Sequence, residues 1–553
     1  AMPGPLAPLA IPVILGPAAL ASAKAFATTF AHEYGTTVTS LSLGTVLARH
    51  AWKKLPSWVK QDKAFQAMVH SEDEEVLSLK LVVEKVYALV NYGIEKVQED
   101  NPNVEERISF HSTFLCYLCY LQLSIQLKMI FPEVSNALYR CSDDGVLDEN
   151  IETSNIDKKQ EELSKRGWQE IREYLDFAVD AYEEDSDKLR KALEDNDFYL
   201  VEHGVTTKMP PGFVGHFSAV CPERKILLIG VKGTSSLEDL LTDCCGHVTP
   251  FTMQETPFEQ HAMRKNIDIL VENEAENGRD KETNLSVELE YFDGIKICCH
   301  EGILIAAKRL TSQILDIVGQ MAKAGYKIVL TGHSLGAGTA CLMAIILQSR
   351  FPFLKSTDRL HVFTYGCPPV LDAESAKACA PFTTSVVNGS DIITRSSMAN
   401  LRTFLNFLIA VNNNYLEKAK LTPSNPNRVV RVIRRLSSGL DADLFMTQEQ
   451  VSFEIEKAQN IISLNEEEHL YIPGKVLILS RRQEAGDAIM DLSDENNVEM
   501  VANLCKSYQC AVTNGTAKVL RFFDTGDGMR NVTDHLTLAY AESIDAMVAK
   551  SIQ

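Results

Sequence analysis

Positive charge is in short supply in this chain. Its 553 residues carry 54 Lys+Arg against 74 Asp+Glu, a formal net charge of −20. A phosphate backbone is gripped by a basic face, so no nucleic-acid partner is expected. A cysteine framework is also missing. The 13 Cys are odd in number, and several sit in apolar runs (Cys116 and Cys119, Cys298 and Cys299, Cys341) without disulfide-scaffold or zinc-site spacing. That usage points to a reducing, intracellular compartment and gives no metal site. A clean membrane-spanning run is lacking as well. Residues 1–23 hold no charged side chain, but Pro3, Pro5, Pro8, Pro12 and Pro17 break the backbone bonds that a span of about 20 residues needs. Residues 108–127 are uncharged, yet His111, Gln122 and Gln126 interrupt them, so a buried core helix is expected there. No internal repeat is found.

What remains is an ordinary globular balance, 45% hydrophobic and 23% charged, able to bury a sizeable core. Three regions follow one another. Residues 1–50 form an apolar arm; from 18 onward it is small, hydroxyl-rich and almost free of acid, which fits either a targeting peptide or an anchor. Residues 51–196 read as helices: in 76–96 apolar residues recur at three and four, and 141–200 present an acidic, solvated face. From 197 to 553 strands alternate with helices. Strands are expected at 197–201, 214–221, 225–231, 289–298, 326–331, 359–364, 383–387, 475–480 and 517–523; helices fit 302–323, 336–350, 372–379, 397–412 and 535–550. Several strands are continuous apolar runs, as in a mostly parallel sheet covered on both faces. Two long excursions, 244–288 and 413–467, have the length of lids or binding loops.

Chemistry concentrates at Gly332-His333-Ser334-Leu335-Gly336. The pattern Gly-x-Ser-x-Gly alone is weak; roughly one chain in five to ten of this length would hold it by chance. Its setting is specific, because an apolar strand ends at Thr331 and a helix begins just after. A serine on such a corner needs small neighbours, and it lies at a helix N-terminus that favours a developing oxyanion. Ser334 is therefore the expected nucleophile. Serine needs a base, and the base an orienting acid; in this arrangement they follow the serine in the order acid, then histidine. Of the 13 His only His469 and His535 come late enough. His535 follows the last expected strand and opens the final helix, so it is preferred, and His469 reads as a surface residue. His300 and His333 read as packing or hydrogen-bonding residues. For the acid, Asp391 follows the strand 383–387, at a strand C-terminus where such sheets place functional loops. Asp358, Asp372 and Asp441 lie at helix or loop edges, and Asp534 reads as an N-cap. Two donors are needed for the oxyanion: the N–H of Leu335, and one from Thr234 in the glycine turn after the strand 225–231. The sequons Asn388-Gly389-Ser390 and Asn531-Val532-Thr533 fall beside these residues, where a glycan has no room, so secretion is not expected.

Taken together, Val231-Lys232-Gly233-Thr234-Ser235-Ser236, His300-Glu301-Gly302, Gly332-His333-Ser334-Leu335-Gly336 and Asp534-His535 resemble the class 3, fungal-type lipase family. Within it the likeness is to the sn-1-specific diacylglycerol lipases, supported by Phe363–Pro369, Val386–Arg395 and Leu470–Lys475. The resemblance covers 197–553. It implies an α/β-hydrolase fold, a triad of Ser334, Asp391 and His535, and oxyanion donors at Thr234 and Leu335. It also implies that 413–467 is the insert those lipases carry over the active-site mouth. Lys232 stands where the family commonly has arginine, which matters for bidentate pairing. The four transmembrane helices of the animal enzymes are replaced by weakly apolar helices before 140, and no calcium-ligand motif matches. The implied activity is hydrolysis of diacylglycerol to monoacylglycerol and fatty acid, without a cofactor, at a membrane or droplet surface inside the cell. The rival readings are a phospholipase A1 or galactolipase, for which a plastid location comes into play, and an inactive lipase-like scaffold.

Overall fold

A computed structural model of the protein describes residues 165–205, 214–233, 248–251, 291–292, 295–356, 358–419, 446–462, 469–481, 508–517, 520–521, 533–551 and Val97. The arm 1–50, nearly all of the helical region before 165, most of 244–288, the middle of 413–467, Asp441 and Thr234 lie outside the described residues.

Eight strands make one sheet whose spatial order is the order of the chain. The strands are β1 (Tyr199–Gly204), β2 (His216–Cys221), β3 (Ile226–Val231), β4 (Lys327–His333), β5 (Leu360–Tyr365), β6 (Thr383–Asn388), β7 (Lys475–Arg481) and β8 (Tyr508–Asn514). β3 to β7 run parallel. β1 and β2 flank them antiparallel on one edge, and β8 on the other. Parallel neighbours need helical crossovers, and these turn with one hand. Stepping one strand at a time therefore stacks the crossover helices on one face.

The helices are α1 (Lys165–Asp180), α2 (Ser186–Glu194), α3 (Glu301–Lys323), α4 (Leu335–Arg350), α5 (Ala373–Ala378), α6 (Met398–Ala419), α7 (Gln448–Ile462) and α8 (Thr537–Lys550). Because strand side chains alternate, Leu227, Ile229, Ile328, Leu330 and Val362 point to α3 and α4. Their neighbours Leu228, Val329, Phe363, Val386 and Leu477 point the other way, to α1, α2 and α8. α4 is apolar almost all round and buried from Gly336 to Gln348, as a helix enclosed by others must be. This three-layer sandwich is an α/β-hydrolase fold with a mostly parallel central sheet.

Three expectations change. The shift of character near 197 marks the first strand and not the edge of the packing unit. α1 and α2 bury Trp168, Ile171, Leu175, Leu189 and Leu193 in the core of the second face, and Thr331 Oγ1 donates to Tyr174 O at 2.8 Å. Among the described residues the last strand is β8, Tyr508–Asn514, whereas Ala517 and residues 520–521 lie outside the sheet. An edge strand is covered less completely than an inner one, so the mixed sequence of β8 suits it better than the more apolar 517–523. The segment 289–298 is not one strand. Tyr291–Phe292 pairs with Ile295–Lys296 across Asp293-Gly294, a dipeptide that favours two-residue hairpins, and Cys298–His300 pairs with Val248–Pro250. The insert 413–467 begins within α6 and contains α7, which packs on α6; Val411 and Tyr415 of α6 and Val451 and Ile455 of α7 are buried. Among the described residues no helix is long and apolar enough to cross a membrane, and no group of three or more His, Cys, Asp or Glu is placed to hold a metal.

Candidate active site

The chain turns from β4 into α4 on a single residue. Ser334 has φ 59° and ψ −131°, a conformation that costs a non-glycine residue about 1–3 kcal/mol and persists only where its surroundings hold it. Glycine neighbours make the corner possible: a Cβ on Gly336 would lie 2.3 Å from Val231 O. β3 thus passes directly under the corner. As the first residue of α4, Leu335 has an N–H without an intrahelical acceptor, and the helix end favours negative charge there. Thr234, the other expected oxyanion donor, lies outside the described residues. The chain leading to it is in place, since a Cβ on Gly233 would lie 2.6 Å from His333 O.

Ser334, His535 and Asp391 converge from separate parts of the chain. His535 Nε2 is 3.0 Å from Ser334 Oγ. Its Nδ1 is 3.0 and 2.9 Å from Asp391 Oδ1 and Oδ2. An ionised carboxylate only accepts, so Nδ1 carries the proton and Nε2 is left to accept from the serine hydroxyl. All three are buried, which strengthens their electrostatic coupling. Burial alone would push the Asp391 carboxyl up. His535, the hydroxyl of Tyr540 (2.7 Å) and the N–H of Ile393 (2.8 Å) more than offset this and hold it below the usual carboxylate range.

The acid and base are further tied to each other by backbone bonds. Asp534 Oδ2 accepts from Ser390 N at 2.7 Å, and Asn388 Nδ2 donates to Asp534 O at 3.0 Å. Arg395 donates to Asp391 O and Gly389 O, closing the loop after β6 on itself. Gly366 sits at φ +61°, where an added Cβ would be 2.9 Å from His535 Cε1, so the imidazole occupies the space that glycine leaves.

Two expectations fail here. Asp534 is not a helix cap: the N-cap of α8 is Leu536, and the carboxylate instead clasps the loop that carries Asp391. His469 is not a surface residue; it is 5% exposed and stacks on Tyr471, because the chain leaving the insert runs under cover before β7. Other residues behave as read. His300 caps α3 by accepting from Ile303 N, Asp372 caps α5, and Asp358 is exposed. Asn388 is buried, which leaves no room for a glycan. Lys232 reaches Glu184 Oε1 at 3.0 Å, a single contact where an arginine could make two. The residues that sequence reasoning missed are Tyr540 and Arg395. Neither carries a local signal, because each works through a partner distant in the chain or through loop carbonyls.

Part of the chain is similar in sequence to known lipases. The family model described as lipase (class 3) matches residues 228–401, a stretch holding Ser334, Leu335 and Asp391 but not His535. Diacylglycerol lipase-alpha of Rattus norvegicus is 27% identical over 205 residues, which is 35% of this chain and 16% of that protein. The chloroplastic phospholipase A1 PLIP2 of Arabidopsis thaliana is 32% identical over 143 residues, 24% of this chain and 20% of that protein. The matches thus span a fifth or less of these relatives' length. Among solved structures, the Lip2 lipase of Yarrowia lipolytica aligns with a TM-score of 0.29 at 21% identity, over 44% of this chain and 77% of that one.

Proposed function

We propose that this protein, whose residues 228–401 match the class 3 lipase model, is a serine lipase that cleaves carboxylic esters of acylglycerols through an acyl-serine. The observation that carries the reading is the row Ser334 Oγ, His535 Nε2 and Nδ1, Asp391 at hydrogen-bond distances beside a helix N-terminus. Ser334 Oγ attacks the ester carbonyl while His535 takes its proton. The carbonyl oxygen gains the charge and is met by the N–H of Leu335 and, in this reading, by Thr234. Asp391 stabilises the imidazolium that forms. As the C–O bond breaks, His535 returns the proton to the leaving alcohol. Water then attacks the acyl-serine with His535 again as base, releasing the fatty acid and restoring the serine hydroxyl. The chemistry calls for no cofactor.

The favoured substrate is diacylglycerol, met at a membrane or droplet surface inside the cell; the likeness to the rat diacylglycerol lipase supports it. A phospholipase A1 activity is the second reading, supported by the likeness to the Arabidopsis protein. Labelling with a fluorophosphonate tests the chemistry. Wild type should label and Ser334→Ala should not; absence of labelling in both would favour a lipase-like scaffold. Fatty acid released from a mixed panel of diacylglycerol, phospholipid and galactolipid then separates the two substrate readings.

A further inference from the structure

We propose that Tyr182, in the turn after α1 and well before the residues matched by the family, is a positioning residue for His535 that acts through His333. The inference rests on the esterase reading of Ser334 and His535. His333 Nε2 lies 2.8 Å from the carbonyl oxygen of His535. A carbonyl cannot donate, so Nε2 carries a proton. In the neutral ring Nδ1 is then an acceptor, and the Tyr182 hydroxyl, 3.0 Å away, donates to it. A directed chain results: Tyr182 O–H to His333, and His333 N–H to the backbone of the base. Each bond polarises the next, and the chain fixes one tautomer of a ring that could otherwise hold either.

The effect falls on the backbone of the base, which the ring contacts of the triad do not hold. His535 sits in a turn of four described residues before α8, pinned on its ring side by Asp391. The His333 bond pins its backbone side, and the two rings lie with centroids 4.6 Å apart. Tyr182 and His333 are both buried, so water does not compete for these bonds. The same hydroxyl borders the other half of the site. A Cβ on Gly233 would come within 2.1 Å of Tyr182 OH, so the tyrosine wedges between His333 and the strand end that leads to Thr234. One side chain from the segment before β1 thereby touches both His333 and Gly233, at the end of β3.

The test uses the full chain, with fluorophosphonate labelling rate and turnover of p-nitrophenyl butyrate as readouts. Tyr182→Phe removes only the hydroxyl; both labelling rate and kcat should fall about tenfold, the worth of one buried hydrogen bond, while KM stays put. Tyr508→Phe is the control, because its hydroxyl serves the same face away from the triad, at Glu542 Oε1. It should lower the melting temperature with no change in labelling. Equal labelling rates for the two variants would overturn the proposal. The route through His333 is tested by adding Tyr182→Phe to His333→Leu: it should cost nothing further, and an additive tenfold loss would overturn that route. Should His333→Leu fail to fold, the comparison of the two tyrosine variants decides alone. Wild type that does not label at all would instead sink the esterase reading.

Discussion

The two faces of the sheet are packed with different materials. Under α3 and α4 the fully buried side chains are aliphatic, small or sulfur-bearing, with Phe251 and Phe382 the aromatic members and no tyrosine among the described residues. Under α1, α2 and α8 lie Trp168, Tyr174, Phe177, Phe198, Phe217, Phe363, Tyr365, Tyr508 and Tyr540. A buried hydroxyl must be satisfied or it costs free energy, so a tyrosine that is hydrogen-bonded there fixes a partner as well as filling space. Tyr365 reaches the backbone of α1, Tyr540 reaches Asp391, and Tyr182 reaches His333. One face supplies bulk cohesion, and the other supplies cohesion plus aim.

The largest stability loss is expected on the aliphatic face. Ile314, on α3, is fully buried, and Ile314→Ala should destabilise by about 2–5 kcal/mol. Turnover per folded molecule should stay within about twofold, since no polar partner is lost. Urea unfolding and active-site titration measure the two quantities. A stable variant with crippled turnover would break the contrast between the faces.

Tyr540→Phe should do the reverse. It removes a hydrogen bond to an ionised carboxylate, worth about 1.5–3 kcal/mol, and it orphans the N–H of Asn388, which donates to the same hydroxyl at 3.1 Å. Here kcat should drop about ten- to a hundredfold. A change in pH dependence comes with it. The folded Asp391 carboxyl is held below its unfolded value. Its contribution is therefore present above the unfolded pKa and is lost as pH falls through the lower folded one. Without the tyrosine hydroxyl the folded value rises, so acid unfolding should begin at a higher pH. An unchanged acid limb would show that Tyr540 does not support the carboxylate.

The same contrast explains what could be read in the sequence. Ser334 was legible because its signal is local: an apolar strand, two glycines and a helix within a dozen residues. Asp391 and His535 followed from chain order and from strand ends. The parallel strands were legible as apolar runs, since burial on both faces removes polar alternation. α1 was not assignable to the sheet, because an amphipathic helix declares that one side is buried without saying against what. β8 was missed because an edge strand is only half committed to the core. The roles of Asp534 and Tyr540 were hidden for another reason. Each depends on a partner about 145 to 150 residues away, and only the folded sheet edge brings them together.

The smallest effect is expected at the surface between α1 and α8. Arg172 Nε meets Asp545 Oδ1 at 2.8 Å, but the aspartate side chain is 53% exposed, and exposed pairs contribute little. Burial pushes the Asp545 carboxyl up even though Arg172 opposes it. A carboxyl raised in the fold favours its neutral form there, so stability is greatest below the unfolded pKa and declines as pH rises through the folded one. At neutral pH the charge is thus a slight burden. Asp545→Asn should change unfolding free energy by less than about 1 kcal/mol, with any change a gain, and added salt should not reverse it. A loss larger than that at low salt would mean that α1 is held to α8 by charge, and that the buried tyrosines beneath are passengers rather than the joint.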